Sequence, residues 1–476
     1  MYLGKVGHDV LKNIFRKLNN EFILDSNILK WNYGEDLIIS TNPALGVPLE
    51  TLGFFAFHYS VSNIVVSMGK PVYIIDSIIL PPNTNEDIIE KILEGIQTEC
   101  KKYDVKIIGG HTGFYYGVEI PVINVTAIGV KIREARRPKI GDCLVLMGEY
   151  GEESLWLGSL NGLVNEKYLD IWRNLTPIPK ALFALSRDEV KVMHDVSEGG
   201  LARGLLDIVE KFGLGIKADI KHLRINKDLL RMVKINELYS IPNFGLLILV
   251  VEKSSCERFI DECREKGFNC HILGTFVNDR RLIIDDVVIE KVSRTSFDYL
   301  YGYIDSLDPI VNTLNRVLKE LENHREITNL IPEVGLNMVY GKKTIGSVRD
   351  IAGLSGRVIK SLGRPKICGK VVYGGSRHLA LVLYKAHKFD RNVRAGVNIR
   401  GDEHIFEKLK DMGLSIKRIK GYEEAICPIA DFIEKEHNVY NAYYHVGGFG
   451  VEPSIVILGK NPEELLNIMV KVSKYV

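Results

Sequence analysis

Three segments in the last third of the chain combine glycines with basic or amide side chains, the residue types that bind phosphate. The first is YGGSRH, residues 373–378, which follows a strand-like run and leads into a predicted helix. Gly374 and Gly375 let backbone amides approach an anion, the helix N-terminus adds positive potential, and Arg377 supplies a forked donor. The alternative is an ordinary strand–helix turn capped by Ser376, and the pattern alone favours neither interpretation.

The other two segments lie further along the chain. VNIR ends a predicted strand with Asn398 and Arg400, although an arginine in such a place is usually just solvated. HVGGFGVEP contains Gly447 and Gly448, which could cradle a phosphate or only form a tight turn. Ligands of open α/β folds bind beyond the carboxyl ends of strands, where the first two segments fall. Three signals of one kind together predict an anion-binding site.

The elements that must position this site form an α/β pattern over residues 330–476. A block of this length, with strands and helices in alternation, is sufficient for one independent domain. The predicted strands cover residues 369–372, 379–383 and 454–457, and the predicted helices cover residues 403–412 and 462–472.

Two further blocks and a connector precede this domain. Residues 1–137 combine strand-like runs with a helix over 85–102, and residues 138–305 continue the alternation of strands and helices. Apolar residues on one face predict a helix over 309–322, and the polar run ENHREITN follows it. We therefore predict a helical connector over residues 306–329.

Composition limits the classes of function. A chain of 476 residues is long enough for two or three domains. The formal net charge is +2, with both signs interspersed, which argues against a dedicated nucleic-acid surface. No apolar run reaches about 18 residues and the first residues lack a signal-peptide pattern, so we expect no membrane span and a cytoplasmic location. The seven cysteines form no CxxC pair, which predicts reduced thiols.

In the last block the sequence resembles the ThiN family of archaeal-type thiamine-phosphate synthases. The segments that carry the resemblance are NLIPEVGLNMVYGK, DIAGLSGRVIK, GGSRHLALVL, KFDRNVRAGVNIR and HVGGFGVEPSIVILGKNPEE. They cover residues 330–476 in the family's order and without large gaps. The resemblance implies condensation of hydroxymethylpyrimidine diphosphate with thiazole phosphate, which yields thiamine phosphate and pyrophosphate.

The resemblance also implies site residues. The family's functional arginine and histidine correspond to Arg357, as a pyrophosphate clamp, and His378, as a donor to a departing phosphate oxygen or an orienting group for the ring. Loss of pyrophosphate leaves a cation-like carbon, so the protein must stabilise negative charge on the leaving group. Arg377, Asn398 and Arg400 are further candidates for phosphate contacts, and Mg²⁺ is the expected cofactor.

The first two blocks resemble the AIR-synthase superfamily, especially its HypE-like and thiamine-phosphate-kinase-like branches. The segments that carry this resemblance are LGKVGHDVL, DLIISTNP, VSNIVVSMGKPVY, ILPPNTNED, IIGGHTGF and MHDVSEGGLARGLLDI. It implies an α+β fold of two parts, a β-rich domain that dimerises and an α/β domain, with ATP and magnesium bound between them. The nucleotide-binding candidates are Lys5, Asp36, Asp76, Gly109, Gly110, Asp195, Gly199 and Gly200.

Departures from this second family concern its magnesium ligands. Asn42, Asn63 and His111 stand where the family has acidic residues. Mg²⁺ prefers one or two carboxylates together with phosphate oxygens. We therefore expect the first two blocks to serve as a homodimerisation or nucleotide-binding module and not as a working kinase.

Two alternative functions remain open at this point. ThiN-like domains also act as thiamine-phosphate sensors in regulators, but those regulators carry a helix-turn-helix domain, of which this sequence shows no pattern. The first two blocks could instead phosphorylate thiamine phosphate with ATP, against which the missing carboxylates count.

Overall fold

The computed structural model describes residues 27–29, 34–82, 84–292, 295, 297, 300, 307–419, 427–448 and 451–476. Lys5 lies outside the described residues. The chain divides into two compact units, Met1–Leu307 and Asp308–Val476. Within the described residues, no helix is both long and apolar enough to cross a bilayer.

The first half of unit 1 is a five-stranded sheet in the order β1-β2-β5-β3-β4. Its helices α1 and α2 pack against each other, and α1 lies on the sheet. Helix α1 is buried around most of its circumference because a helix and a strand of the second half cover its other side. The elements are β1 (Asn27–Leu29), β2 (Leu37–Ala44), α1 (Leu49–Val66), β3 (Gly69–Leu80), α2 (Glu86–Lys102), β4 (Lys106–Phe114) and β5 (Val122–Lys131).

The second half of unit 1 is a seven-stranded mixed sheet in the order β12-β11-β8-β10-β6-β9-β7. The strands β6, β7 and β9 are buried at every residue, as expected in a covered sheet. Strand β7 is the last of the sheet, and it contacts helix α1. The elements are β6 (Cys143–Met147), α3 (Glu152–Leu160), α4 (Ile178–Leu185), β7 (Val190–Val196), α5 (Gly200–Phe212), β8 (Gly215–Ala218), α6 (Lys227–Met232), β9 (Leu246–Val251), α7 (Cys256–Glu265), β10 (Cys270–Val277), β11 (Leu282–Ile284) and β12 (Val287–Ile289).

One prediction about the cysteines is wrong. Cys143 and Cys256 are joined in a disulfide, with their Cα atoms 6.3 Å apart, whereas we expected reduced thiols throughout. The two residues are separated by 113 positions, so no local spacing pattern could reveal the pair.

Unit 2 is built on a seven-stranded sheet in the order β17-β14-β13-β18-β21-β20-β19, with a separate hairpin of β15 and β16. Its elements are α8 (Pro309–Glu322), β13 (Met338–Gly341), β14 (Ile351–Leu354), β15 (Arg357–Ser361), β16 (Arg364–Cys368), β17 (Val371–Tyr373), α9 (Arg377–Phe389), β18 (Ala395–Arg400), α10 (Glu403–Asp411), β19 (Ile416–Ile419), α11 (Pro428–Glu436), β20 (Ala442–His445), β21 (Ser454–Gly459) and α12 (Pro462–Ser473).

Helices cover both faces of this sheet. Apolar residues of α8, α10 and α12 pack on one face, and those of α9 and α11 pack on the other. Helix α8, which we assigned to a connector, therefore belongs to the core of unit 2, because Leu314, Val317 and Leu321 are fully buried there. The strand predicted over residues 379–383 is wrong, since helix α9 runs through this apolar run.

One edge of the sheet collects the ends of several strands. Strands β18, β19 and β20 are parallel to one another and antiparallel to β13 and β21 where they pair. Their carboxyl ends therefore lie at the same edge, where β14 also ends; we call this edge the carboxyl edge. Helix α9 begins near it, because a Cβ added to Gly353 on β14 would lie 3.3 Å from Ser376 Cβ.

Candidate functional site

Three residues form a row across the carboxyl edge. Arg400, Ser454 and His445 are direct partners on β18, β21 and β20. Directly opposite residues in antiparallel strands point to the same face of a sheet. Tyr443 and Val456 share this face and pack with α9 and α11. The row thus lies on the side from which α9 approaches.

His445 was missed by our sequence reasoning. It is buried at the end of β20, with 3% of its surface exposed. Its Nδ1 accepts a hydrogen bond from the amide of Gly447 at 3.2 Å. Its position beside Ser454 and Arg400 depends on the order of the strands, which the sequence pattern does not reveal.

Arg357 and His378 belong to the same site. His378 lies in the first turn of α9, and Arg357 begins the hairpin strand β15. The pKa of His378 is lowered by loss of hydration, and further by the positive charges of His445 and Arg357. His445 and Arg357 therefore each lie within electrostatic reach of His378. The lowered pKa favours the neutral ring, which donates one hydrogen bond and accepts another.

A pair of asparagines positions the backbone before Arg357. The buried Asn337 donates to the carbonyl oxygens of Leu354 at 3.0 Å and Gly356 at 3.1 Å. Asn398 accepts from the amide of Asn337 at 2.7 Å. Arg357 Nη1 in turn donates to the oxygen of Gly356 at 2.7 Å. The amide of Asn398, which we predicted to contact phosphate, is thus engaged in supporting the loop that carries Arg357.

The glycines before α9 are required by close packing. A Cβ on Gly375 would lie 2.2 Å from the oxygen of Gly353, and Gly374 has a φ of +75°. Their amides donate to the oxygens of Val372 and Ile351, at 3.2 and 3.0 Å. The amides that remain for an anion are those of the first turn of α9, which have no acceptor within a helix.

Ser376 and the arginines complete this end of α9. Ser376 is buried and makes no side-chain capping hydrogen bond, so the capped turn that we considered as an alternative is not formed. Arg377 is exposed. Arg400 has Nη2 3.8 Å from a carboxylate oxygen of Asp402, a distance at which a phosphate can compete for the guanidinium.

The second glycine loop is folded on itself. Gly447 has a φ of +84°, and its amide is bonded to His445. Gly448 exchanges two backbone hydrogen bonds with Val451, at 3.0 and 3.1 Å. The described amides of this loop therefore bind acceptors within the protein.

The described nucleotide-binding candidates of unit 1 lie on or next to strands and at the start of a helix. Asp76 is buried on β3 beside Gly110, where an added Cβ would lie 2.3 Å from its carboxylate, and burial raises the pKa of Asp76. Asp36 lies 3.9 Å from Lys131. Gly109 stands on the exposed edge strand β4, where nothing lies within 4 Å of an added Cβ.

The remaining candidates lie around the start of α5. Asp195 is buried near the end of β7. Gly199 and Gly200 have φ of +82° and +62°. A Cβ on Gly200 would lie 2.3 Å from the oxygen of Ile241, so close backbone packing explains this glycine without a ligand.

The asparagines that stand in place of the family's acidic residues donate hydrogen bonds through their side-chain NH₂ groups, which a carboxylate lacks. Asn42 Nδ2 donates to the oxygen of Tyr59 at 2.9 Å, and Asn63 Nδ2 donates to the hydroxyl of Ser40 at 3.0 Å. His111 bonds the hydroxyl of Tyr115 at 2.9 Å. Among the described residues, no group of three or more His, Cys, Asp or Glu side chains could hold a metal ion. At these three positions the described part of unit 1 thus offers no carboxylate to a magnesium ion.

We expect Asn42→Asp to lower the free energy of unfolding by about 1–3 kcal/mol. An aspartate cannot donate to the oxygen of Tyr59 and would place two acceptors together. Asn124→Asp on the neighbouring strand is the control, because the hydroxyl of Thr41, 3.3 Å from Asn124 Oδ1, can donate to the new carboxylate. Urea denaturation measures both variants. An Asn42→Asp protein of unchanged stability that acquires a Mg²⁺ site would contradict this interpretation.

Three family models match the sequence. The N-terminal domain of AIR synthase related proteins matches residues 25–131, and their C-terminal domain matches residues 139–287. The model of thiamine-phosphate synthase ThiN matches residues 313–471. Both resemblances predicted from the sequence are confirmed, and the ThiN match includes most of helix α8.

Individual proteins are similar to parts of the chain. The bifunctional thiamine biosynthesis protein ThiDN of Methanocaldococcus jannaschii is 28% identical over 193 residues, which are 39% of this chain and 46% of that protein. Thiamine-phosphate synthase ThiN of Methanothermobacter thermautotrophicus is 25% identical over 173 residues, 34% of this chain and 91% of that protein. The chain thus spans less than half of the bifunctional protein.

Among solved structures, thiamine monophosphate kinase of Aquifex aeolicus superposes with a TM-score of 0.50 at 17% identity. The match covers 60% of this chain and 98% of the kinase. At this identity the likeness concerns the fold, and it confirms the predicted two-part α+β architecture.

Proposed function

The chain belongs to the AIR synthase related proteins and carries a C-terminal ThiN domain, and we propose that unit 2 is a thiamine-phosphate synthase. It would condense hydroxymethylpyrimidine diphosphate with thiazole phosphate and release pyrophosphate. The observation that supports this function most strongly is the placement of Arg357 and His378 in one electrostatic cluster at the N-terminus of α9.

The reaction asks for stabilisation of charge more than for proton transfer. The bond between the pyrimidine methylene carbon and the diphosphate oxygen breaks, and its electron pair leaves with the diphosphate. The lone pair of the thiazole nitrogen then forms the new C–N bond. Arg357 would bind the leaving oxygens as a fork, and the first amides of α9 would add the potential of a helix N-terminus. His378, neutral, would donate a hydrogen bond to the same group.

Mg²⁺ is proposed as a companion of the diphosphate. The described residues of unit 2 offer it no cluster of carboxylates, so the substrate's own oxygens are its expected ligands.

Purified full-length protein tests the proposed function. With both substrates and Mg²⁺ present, we expect thiamine phosphate and pyrophosphate to form in a 1:1 ratio, measured by chromatography and a coupled phosphate assay. A protein that binds thiamine phosphate in a calorimeter but forms no pyrophosphate would instead be a sensor, and the proposal would be abandoned.

We expect Arg357→Gln to raise the pKa of His378 towards its ordinary value. Removal of a neighbouring positive charge makes protonation easier, so the sign of the change is upward. A titration of the His378 Cε1 proton by NMR measures it. Arg364→Gln, in the partner strand of the same hairpin, is the control and should leave the titration unchanged.

For unit 1 we propose a role in homodimerisation. The edge strand β4 exposes Ile108 and Phe114 by 53% and 55%, and Ile75 on the adjacent β3 is 40% exposed. An apolar edge strand is a template for pairing with another chain. A second copy of the same strand fits this edge, because most oligomers of soluble proteins are symmetric homodimers.

We therefore expect Ile108→Glu to shift the protein towards monomers in sedimentation velocity. A charge at a desolvated apolar contact costs about 2 kcal/mol or more per subunit. Ile235→Glu is the matched control, because Ile235 is 87% exposed and belongs to the second half of unit 1. Equal sedimentation of wild type and Ile108→Glu would remove β4 from the dimer interface.

A further inference from the structure

His445 and the glycine loop after it have no role in the reaction proposed above. His445 ends β20 at the carboxyl edge, and Gly447 lies two residues later. We propose that His445 is a second imidazole donor for the diphosphate, and that the amide of Gly447 fixes the tautomer in which it donates. This inference rests on the proposed function of unit 2.

The hydrogen bond to Gly447 decides where the proton of the ring lies. The amide N–H can only donate, so Nδ1 of His445, at 3.2 Å, must present its lone pair. A neutral imidazole then carries its hydrogen on Nε2. The distal nitrogen of His445 is therefore a donor, as the binding of phosphate oxygens requires.

The shape of the loop explains why glycine stands at position 447. Its φ of +84° lies in the left-handed region, and an added Cβ would lie 2.8 Å from the oxygen of Val451. The amide reaches back to the ring of His445 in this conformation. The glycine motif, for which the sequence left a phosphate cradle and a tight turn both open, thus holds the ring of His445.

His445 lies at the carboxyl edge together with the other candidate residues of the site. Its row partner across β21 is Arg400, with Ser454 between them. His378, in the first turn of α9, lies within electrostatic reach of both His445 and Arg357. His445 and Arg357 thus lie near the first turn of α9, and Arg400 shares the row of His445 at the carboxyl edge.

The buried His387 is an example of a histidine with a purely structural role. His387 lies at the opposite end of α9, where Nδ1 contacts the oxygen of Val393 at 2.9 Å and Nε2 accepts from the amide of Ile345 at 3.4 Å. Both of its nitrogens serve the backbone. His445 differs, because it lies within electrostatic reach of His378, a candidate catalytic residue.

Two amide substitutions separate a ligand-binding role from a structural one. In His445→Gln the terminal NH₂ reaches the position of Nε2, so a donor to the diphosphate is kept. In His445→Asn the amide oxygen takes the position of Nδ1 and keeps the bond to Gly447, but the distal donor is lost. Both variants place a neutral polar group at a buried position, and thermal unfolding checks that each is folded.

The probe is inorganic pyrophosphate, titrated calorimetrically into the full chain with Mg²⁺. We expect His445→Gln to bind within about threefold of wild type and His445→Asn to bind on the order of 10- to 100-fold more weakly. A structural role alone predicts the reverse order. His404→Asn, at an exposed position, is the control and should bind as wild type does.

The outcomes distinguish this inference from the proposed function. If wild type binds pyrophosphate and both His445 variants bind it equally well, the inference fails and the synthase function stands. If wild type neither binds nor releases pyrophosphate, the proposed function itself fails. Nitrogen NMR of the His445 ring gives a second test, since a protonated Nδ1 would overturn the assigned tautomer.

Discussion

Replacement of Arg357 by alanine is expected to lower the single-turnover rate of pyrophosphate release by about 10³-fold. Together with burial, the guanidinium of Arg357 lowers the pKa of His378. Asn337 fixes the backbone just before Arg357 through its hydrogen bond to the oxygen of Gly356. Arg357→Lys keeps the charge but not the fork, so we expect an intermediate loss of about 10²-fold. Rapid-quench measurement with saturating substrates gives these rates.

Arg364→Ala is the matched control for this experiment. It removes an exposed arginine at the other end of the same hairpin, paired with Ser361. It should leave the rate within about twofold. A similar loss in Arg364→Ala and Arg357→Ala would mean that the hairpin, and not the guanidinium at its start, is responsible.

Gly375→Ala is expected to destabilise unit 2 by about 3 kcal/mol. The added Cβ would lie 2.2 Å from the oxygen of Gly353, and a backbone atom within a sheet cannot move aside as a flexible side chain can. The same substitution displaces the start of α9, so turnover should fall as well. Hydrogen exchange of peptides from β13 and β14 reports the free energy of opening.

The neighbouring glycine provides the comparison. Gly374 has a φ of +75° but nothing within 4 Å of an added Cβ, so Gly374→Ala should cost only about 1 kcal/mol. Equal costs at both positions would show that conformational strain, and not the close approach of Gly353, explains the pair.

The order of the domains could be predicted because each family has several sequence motifs that occur in a fixed order along the chain. The segments quoted for the ThiN and AIR-synthase resemblances extend along the chain in sequence order, and the family models match the same regions. Residues 379–383 were assigned to a strand, although a helix was expected to begin just before them, because a short apolar run suits a buried strand and a buried helix equally. Helix α8 resembled a connector because its packing partners lie far away in sequence.

The site was predicted in part for a similar reason. Glycines and basic residues are visible as types, but the use of each amide depends on neighbours in space. Asn398 was expected to contact phosphate, yet its partner is Asn337, and no local pattern links the two. His445 acquires its place only through the pairing of β18, β21 and β20. Sequence supplies the groups, and strand order decides which of them meet.

The most direct test follows the histidine rings while pyrophosphate is added to the full-length protein. The sequence has 12 histidines. We expect the Cε1 protons of His378 and His445 to shift together and to saturate at one pyrophosphate per chain. Exposed His404 should not respond. Saturable binding that leaves both His378 and His445 unmoved would contradict a diphosphate site at the carboxyl edge.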